Sequence, residues 1–239
     1  MTEPQTTFQR VPIRPVDCLS ESWNLLSGQY WVFFAICLVG MLIQSFVPLN
    51  ILTGPMLCGI FLAWFALVRG ETITFEMLFK GFDYFVPSLI ASLILVAVVL
   101  VVMIPCYVLL FAGIALGAAA GQETPEIMGI AVLLSSSIFL LVILTVMTVI
   151  MTLYLFVFPL IVDRKLKAIP AMKTSAAAAW ANLGGVLGLL ALTSLIATVA
   201  SFFCIIPFFF VIPWCFGAIG IAYRRVFPEI SDEAPVLAD

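Results

Sequence analysis

The chain has 239 residues, of which 64% are hydrophobic and 10% charged, against roughly 25% charged in a soluble domain. No core of a water-soluble protein this long could hide so many apolar side chains, and several apolar runs pass the ~18 residues that separate a membrane span from a buried helix. Composition therefore excludes a soluble globule and implies an all-α, polytopic integral membrane protein, while the net charge of −3 says less than the placement of the charges.

Residues 1–15 carry three prolines and Gln5-Thr6-Thr7 and read as a loose tail. No basic segment, short apolar run and small-residue cleavage site follow one another, so the amino terminus is expected to be retained and cytoplasmic. Leu19, Trp23, Leu26 and Tyr30 recur at spacings of four, three and four. Either 16–27 is an amphipathic helix at the membrane surface, with Trp23, Tyr30 and Trp31 at headgroup depth, or the first span simply starts early.

The first span is expected over 30–47, followed by a tight turn at Pro48-Leu49-Asn50. The second runs from Asn50 to Val68, roughly 28 Å at helical rise, with Pro55 in its first turn, where a missing amide donor costs little. In 69–83 Thr74 is a fair N-cap, and Phe75, Phe79 and Phe82 share one face of a second surface helix. The third span covers 87–110, with Pro105 expected to kink it. Gly113, Gly117 and Gly121 follow at four-residue spacing, which either admits a partner helix or marks a hinge.

The run 127–162 is 36 residues, roughly 54 Å as one helix and longer than one crossing. Asp163-Arg164-Lys165-Leu166-Lys167 ends it in a basic loop. Pro170 is placed like an N1 proline, and Met172, Ala176 and Trp180 extend a third surface helix over 170–182. The fifth span is 183–204, the sixth 206–223 with Pro207 and Pro213, and a tail follows from Arg224.

All ten basic residues fall on one side of this six-span arrangement. They are Arg10 and Arg14; Arg69 and Lys80; Arg164, Lys165, Lys167 and Lys173; Arg224 and Arg225. The positive-inside rule makes that side cytoplasmic, with both termini there, in a cytoplasmic (inner) membrane. Glu123 and Glu126 face the other side. The whole of 16–223 reads as a single domain with a possible parallel repeat, 16–70 and 170–225, around a central hairpin 84–162. Within it Pro55 and Gly59 echo Pro213 and Gly217, with Arg69 and Arg224-Arg225 closing the respective segments.

Chemistry is sparse. The chain has no histidine, which removes the commonest general base and metal ligand. Its six cysteines, Cys18, Cys37, Cys58, Cys106, Cys204 and Cys215, include no Cys-x-x-Cys pair and read as packing residues. No ionisable residue falls at mid-membrane. Neither a catalytic residue, a cofactor nor a metal site is expected, and nothing points to nucleic acid. The expected partners are the lipid bilayer and a membrane protein or a second copy of the chain.

Trp23 with Tyr30-Trp31, Gly54-Pro55 with Gly59, Phe79-Lys80-Gly81-Phe82, Pro159 with Val162-Asp163-Arg164, Ser175, Asn182 and Ala222-Tyr223-Arg224-Arg225 form a set spread over nearly the whole chain. In these the sequence resembles a broad group of uncharacterised bacterial six-helix membrane proteins that includes the YciC-like proteins. It is similar also to the membrane domain attached to some glycerophosphoryl diester phosphodiesterases. The resemblance implies a six-helix cytoplasmic-membrane protein and no catalytic residue, since the phosphodiesterase domain of the fused members is separate and absent here.

Two functions follow as expectations. One is a non-enzymatic scaffold, assembly factor or accessory subunit acting by protein or lipid contact through Trp23, Phe79, Gly113, Gly117 and Gly121. The other is a transporter or channel-like protein for a neutral or amphiphilic solute, with Asn50, Thr53, Gly54, Pro55, Gly59, Pro213 and Gly217 as its site, since Pro/Gly-interrupted spans at matching places in two halves point that way. The same seven residues also read as helix-packing positions.

Overall fold

Proline and glycine set most of the helix boundaries that the apolar runs leave open. In the computed structural model of the protein, residues 8–46, 51–120, 125–203 and 205–228 are described, and their regular structure is helical. Pro15 opens α1 (Pro15–Leu26), using a position whose amide has no partner anyway. After Ser27-Gly28-Gln29 the chain bends by 108° into α2 (Tyr30–Phe46).

Helix α3 (Thr53–Val68) carries Pro55 in its first turn as expected. It ends where Gly70 takes φ of +72°. Glu71 N donates to Ala66 O at 3.0 Å and Gly70 N to Leu67 O at 3.0 Å, the bonding of a glycine-terminated helix end. A short α4 (Met77–Lys80) and a 3-10 turn (Gly81–Tyr84) lead into α5 (Phe85–Ala120).

Helix α5 runs through Pro105 and past the expected stop at Leu110, over Gly113 and Gly117 to Ala120. Its return partner is α6 (Pro125–Tyr154). The 36-residue apolar run does not continue as one rod. It breaks at Leu155-Phe156 and resumes as α7 (Val157–Asp163), and Pro159 cannot donate back to the carbonyl four residues earlier.

Helices α8 (Ala168–Ala181), α9 (Leu183–Phe203) and α10 (Ile205–Val226) complete the chain. Residues Val157 to Val162 of α7 are all buried, as a helix apolar all round must be. In the same core Trp64, Tyr223, Phe33, Phe156 and Phe227 are the largest fully buried side chains among the described residues.

Among the described residues four helical stretches are long and apolar enough to cross a membrane, at 77–119, 132–163, 183–203 and 206–226, and the bent α1–α2 pair makes a fifth if it counts as one span. Helix α3, with 16 residues, is shorter.

Several local expectations change. Helix α1 buries Cys18, Leu19, Ser22 and Leu26, so its inward face is rotated from the expected one and leaves Trp23 52% exposed. Small residues turn inward there because the neighbouring backbone comes close. Helix α8 likewise buries Ala171, Ser175, Ala178 and Ala179 and turns Trp180 out. Pro170 is its third residue, not its first. The residue preceding α4 is Glu76, and no side chain caps it; Thr74 contributes its carbonyl to Met77 N at 3.1 Å.

Residues 8–13 are not loose, because Asn182 and Val226 hold them by backbone-directed hydrogen bonds. The helix expected to end at Tyr223 continues to Val226, and Phe227 is buried against Tyr223 with centroids 5.0 Å apart. Asn50, Gly121, Cys204, the turn 47–50, the loop 121–124 and the tails 1–7 and 229–239 lie outside the described residues.

Candidate functional site

The expected site residues fall into separate crossings. In α3, Gly54, Pro55 and Gly59 are buried and Thr53 is partly buried. The α-carbon of Gly59 lies against the backbone of Leu78, and Gly81 lies against Pro55 O and the Gly59 backbone. A Cβ on Gly54 would stand 2.5 Å from Ser88 O and 2.8 Å from Ser92 Oγ. These glycines let α4 and the start of α5 cross α3 in backbone contact.

Pro213 and Gly217 are also buried, but they face a different element. Gly217 meets the Ser22 hydroxyl and Leu26 of α1. Ser22 Oγ donates to Trp214 O at 3.0 Å, and Trp214 Nε1 donates to Leu19 O at 2.6 Å. The two Pro-x-x-x-Gly stretches thus serve one local purpose at two places: one turn after the proline, a glycine admits a crossing short helix. They do not join in one site.

A third node joins Ser175, Asp163, Tyr223 and two of the basic residues, Arg164 and Arg224. Ser175 Oγ donates to Leu153 O at 2.6 Å and accepts from Phe156 N at 3.2 Å, so α8 ties both strands of the α6–α7 break. Tyr223 Oη donates to Asp163 Oδ2 at 2.7 Å. Arg164 and Arg224 approach the same carboxylate at 3.3 and 3.7 Å. Arg224 also covers the Phe65 ring, 4.8 Å from its centroid, and Arg164 Nη2 donates to Pro228 O at 2.7 Å.

Asn182 holds the amino-terminal strap. Its Oδ1 accepts from Val11 N at 2.9 Å, and its Nδ2 donates to Gln9 O at 3.1 Å and Ala178 O at 2.9 Å. Arg225 pairs with Glu21 at 2.6 Å. At the α1–α2 bend Gln29 donates to Glu71 O and accepts from Ile73 N. Beside it Arg69 bonds both oxygens of Glu71, at 2.6 and 3.2 Å, and that bonding holds the Glu71 carboxyl below its ordinary range.

Of the expected partner contacts, Phe79 is exposed and meets Phe75 edge-on. Gly113 faces Ser135 of α6 and Gly117 is buried, so at Gly113 the glycine row serves the chain's own hairpin. Trp23 belongs to an aromatic group of α1, α2 and α10. Its rings line a cleft of about 500 Å³ together with Ser27. Phe210 and Trp214 complete that group; neither was singled out, although Trp214 directly follows Pro213. A second cleft, of about 230 Å³, is apolar and opens between α2, α9 and α10 past Met41, Thr193 and Cys215.

No family model, no curated protein and no solved structure matches this chain.

Proposed function

We propose that the chain is a six-span protein of the bacterial cytoplasmic membrane, of the YciC-like kind, which acts without catalysis as a scaffold, assembly factor or accessory subunit. The six crossings would be α2, α3, α5, α6, α9 and α10, with both termini cytoplasmic. In support of one-sidedness, arginines from three segments pair with carboxylates of segments that the six-span order puts on the same side: Arg69 with Glu71, Arg164 and Arg224 with Asp163, and Arg225 with Glu21.

The α5–α6 hairpin carries the interaction reading. Its most apolar stretches are 0% and 11% buried, against 22% and 39% for α9 and α10. Helix α5 has 36 residues, about 54 Å, whereas a hydrocarbon core is ~30 Å thick. Even a tilt of ~40°, the upper end of the usual range, leaves about 41 Å across it. The surplus is apolar: Phe111, Leu116, Leu133 and Leu134 are 58–71% exposed. Apolar surface of that kind standing in water costs roughly 25 cal/mol per Å², which a partner's membrane helices would recover.

The test is capture of the full chain from native membranes into nanodiscs, with photo-crosslinking amino acids at Leu109, Leu116 and Leu141. A protein adduct of reproducible mass at these positions is expected. Recovery always as a lone monomer, with no protein adduct, would sink the reading.

A further inference from the structure

We propose that the aromatic cleft between α1, α2 and α10 binds a quaternary ammonium group. The inference goes beyond the hairpin reading and does not rest on it, since the cleft is formed by other helices. Trp23, Tyr30, Trp31, Phe210 and Trp214 line the cleft with Ser27, and no charged side chain joins them. Neighbouring rings of the lining meet tilted or edge to face, and Tyr30 and Phe210 each stack on Phe34 as well. Trp23 and Trp214 stand at 73°, Tyr30 and Trp31 at 81°, Trp31 and Phe210 at 87°, with centroids 5.7–6.3 Å apart. A cation entering the cleft would lie among these five aromatic rings, whose π faces attract it within ~6 Å of a centroid.

Two of the polar tips, those of Trp214 and Tyr30, are already used. Trp214 Nε1 donates to Leu19 O at 2.6 Å, and the Tyr30 hydroxyl donates to Phe210 O. Those bonds fix the rings and take the donors out of the cleft. Ser27 Oγ donates to Asn24 O. A primary ammonium would enter with three N–H groups and find few acceptors, so it would forfeit hydration without replacement. A tetraalkylated nitrogen has no N–H to satisfy and brings methyl groups that fit apolar walls. The cleft therefore selects methylated over unmethylated ammonium.

Its position suits the chemistry. Ser27 and Tyr30 flank the bend whose Gln29 is bonded to Glu71 and Ile73, beside the Arg69–Glu71 ion pair. The cleft thus opens where the apolar belt meets charged groups. Both a trimethylammonium lipid headgroup and a small water-borne quaternary ammonium could reach it.

Tryptophan fluorescence of the full chain in nanodiscs of phosphatidylethanolamine and phosphatidylglycerol, titrated with tetramethylammonium chloride against equal sodium chloride, tests the proposal. A saturable response in tetramethylammonium alone is expected, not reproduced by ethanolamine. Trp31 is 69% exposed, so Trp31→Leu should leave the fold intact and weaken binding about tenfold, while Trp31→Phe keeps a ring face and most of the affinity. Trp180→Leu, on α8 and outside the cleft, should not change the titration. Repeating the titration in phosphatidylcholine nanodiscs separates the sources: loss of the response identifies the lipid headgroup, and an unchanged response identifies a soluble ligand. A response equal to that of sodium chloride, or identical titrations for Trp31→Leu and wild type, would overturn the proposal.

Discussion

The α5–α6 hairpin is the most apolar part of the chain, with mean hydropathy windows of 3.1 and 2.7, and the least buried; α9 and α10, at 2.2 and 1.8, are more deeply packed. In water this order would be reversed. In a bilayer lipid tails are as apolar as leucine, so apolarity alone brings no two helices together, and association falls to close backbone contact and hydrogen bonds. The bundle around α3, α7 and α10 has these devices: Gly59 on Leu78, Gly217 on Ser22, Ser175 on the α6–α7 break. Between its own two helices the hairpin has, among the described residues, one close glycine contact, Gly113 on Ser135, and beyond the start of α5, which Gly54 admits against α3, it presents mainly leucine and valine outward.

The largest expected effect is therefore at the tightest crossing. In Gly59→Leu the new side chain meets the Leu78 backbone, which cannot rotate away as a side-chain end could. Overpacking ordinarily costs about 1–3 kcal/mol, and a backbone collision should reach or pass the top of that range. The monodisperse peak in mild-detergent size exclusion should be lost. Gly113→Ala meets Ser135 Cβ at 2.8 Å and Oγ at 3.5 Å, so α5 and α6 must part slightly; with a single methyl on a lipid-facing pair the peak should be kept and Tm should fall, by less than for Gly59→Leu. Equal behaviour of the two variants would erase the distinction between bundle and hairpin.

Next is the buried hydroxyl at the helix break. Ser175→Ala leaves Phe156 N and Leu153 O without their side-chain partner. Each such buried group costs about 1–3 kcal/mol when stranded, so a fall in Tm of several degrees is expected by tryptophan fluorescence. Ser136 in the hairpin bonds only to carbonyls of its own helix and is exposed. Ser136→Ala should stay within about 0.5 kcal/mol of wild type.

Asn182→Ala should be milder, because the strap it holds is partly exposed. About 1–2 kcal/mol is expected from the lost bonds, with the effect seen mainly as faster tryptic cleavage after Arg10. Asn182→Asp keeps an acceptor for Val11 N but loses both donors, and its cleavage rate should lie between the other two. No change in cleavage would mean that Ile13 packed on Gly185 suffices to hold the strap.

Apolar runs and their Pro/Gly punctuation made the helices readable from sequence, and the starts of α2 and α9 and the place of Pro55 came out as expected. The inward faces of α1 and α8 did not. Periodicity finds large apolar groups, whereas these helices turn Ser22, Ser175 and alanines inward because the neighbouring backbone is close. Gly59 and Gly217 were visible as candidates, but a glycine that admits a helix and one that admits a solute look alike until the neighbour is seen. The Asp163–Tyr223–Arg224 contact joins residues 60 apart, a separation over which no local pattern carries information. Phe210 and Trp214 were hidden for a simpler reason, since aromatic residues are common in any span end and only the fold sets them opposite Trp23 and Trp31.

The smallest expected effect on folding sharpens the comparison most. Leu109 and Leu141 are 72% and 65% exposed on the hairpin, so Leu109→Ala and Leu141→Ala remove surface that the chain itself does not cover. Their stability should differ from wild type by no more than about 0.5 kcal/mol. If a partner covers that surface, the same two changes should lower the yield of co-captured protein from native membranes while Tm stays put. If lipid alone covers it, both readouts should be flat, because an alanine faces hydrocarbon as readily as a leucine does. A fall in Tm without any change in capture would instead mean that the hairpin lies back against the bundle and that its exposure is not a property of the folded chain in the membrane.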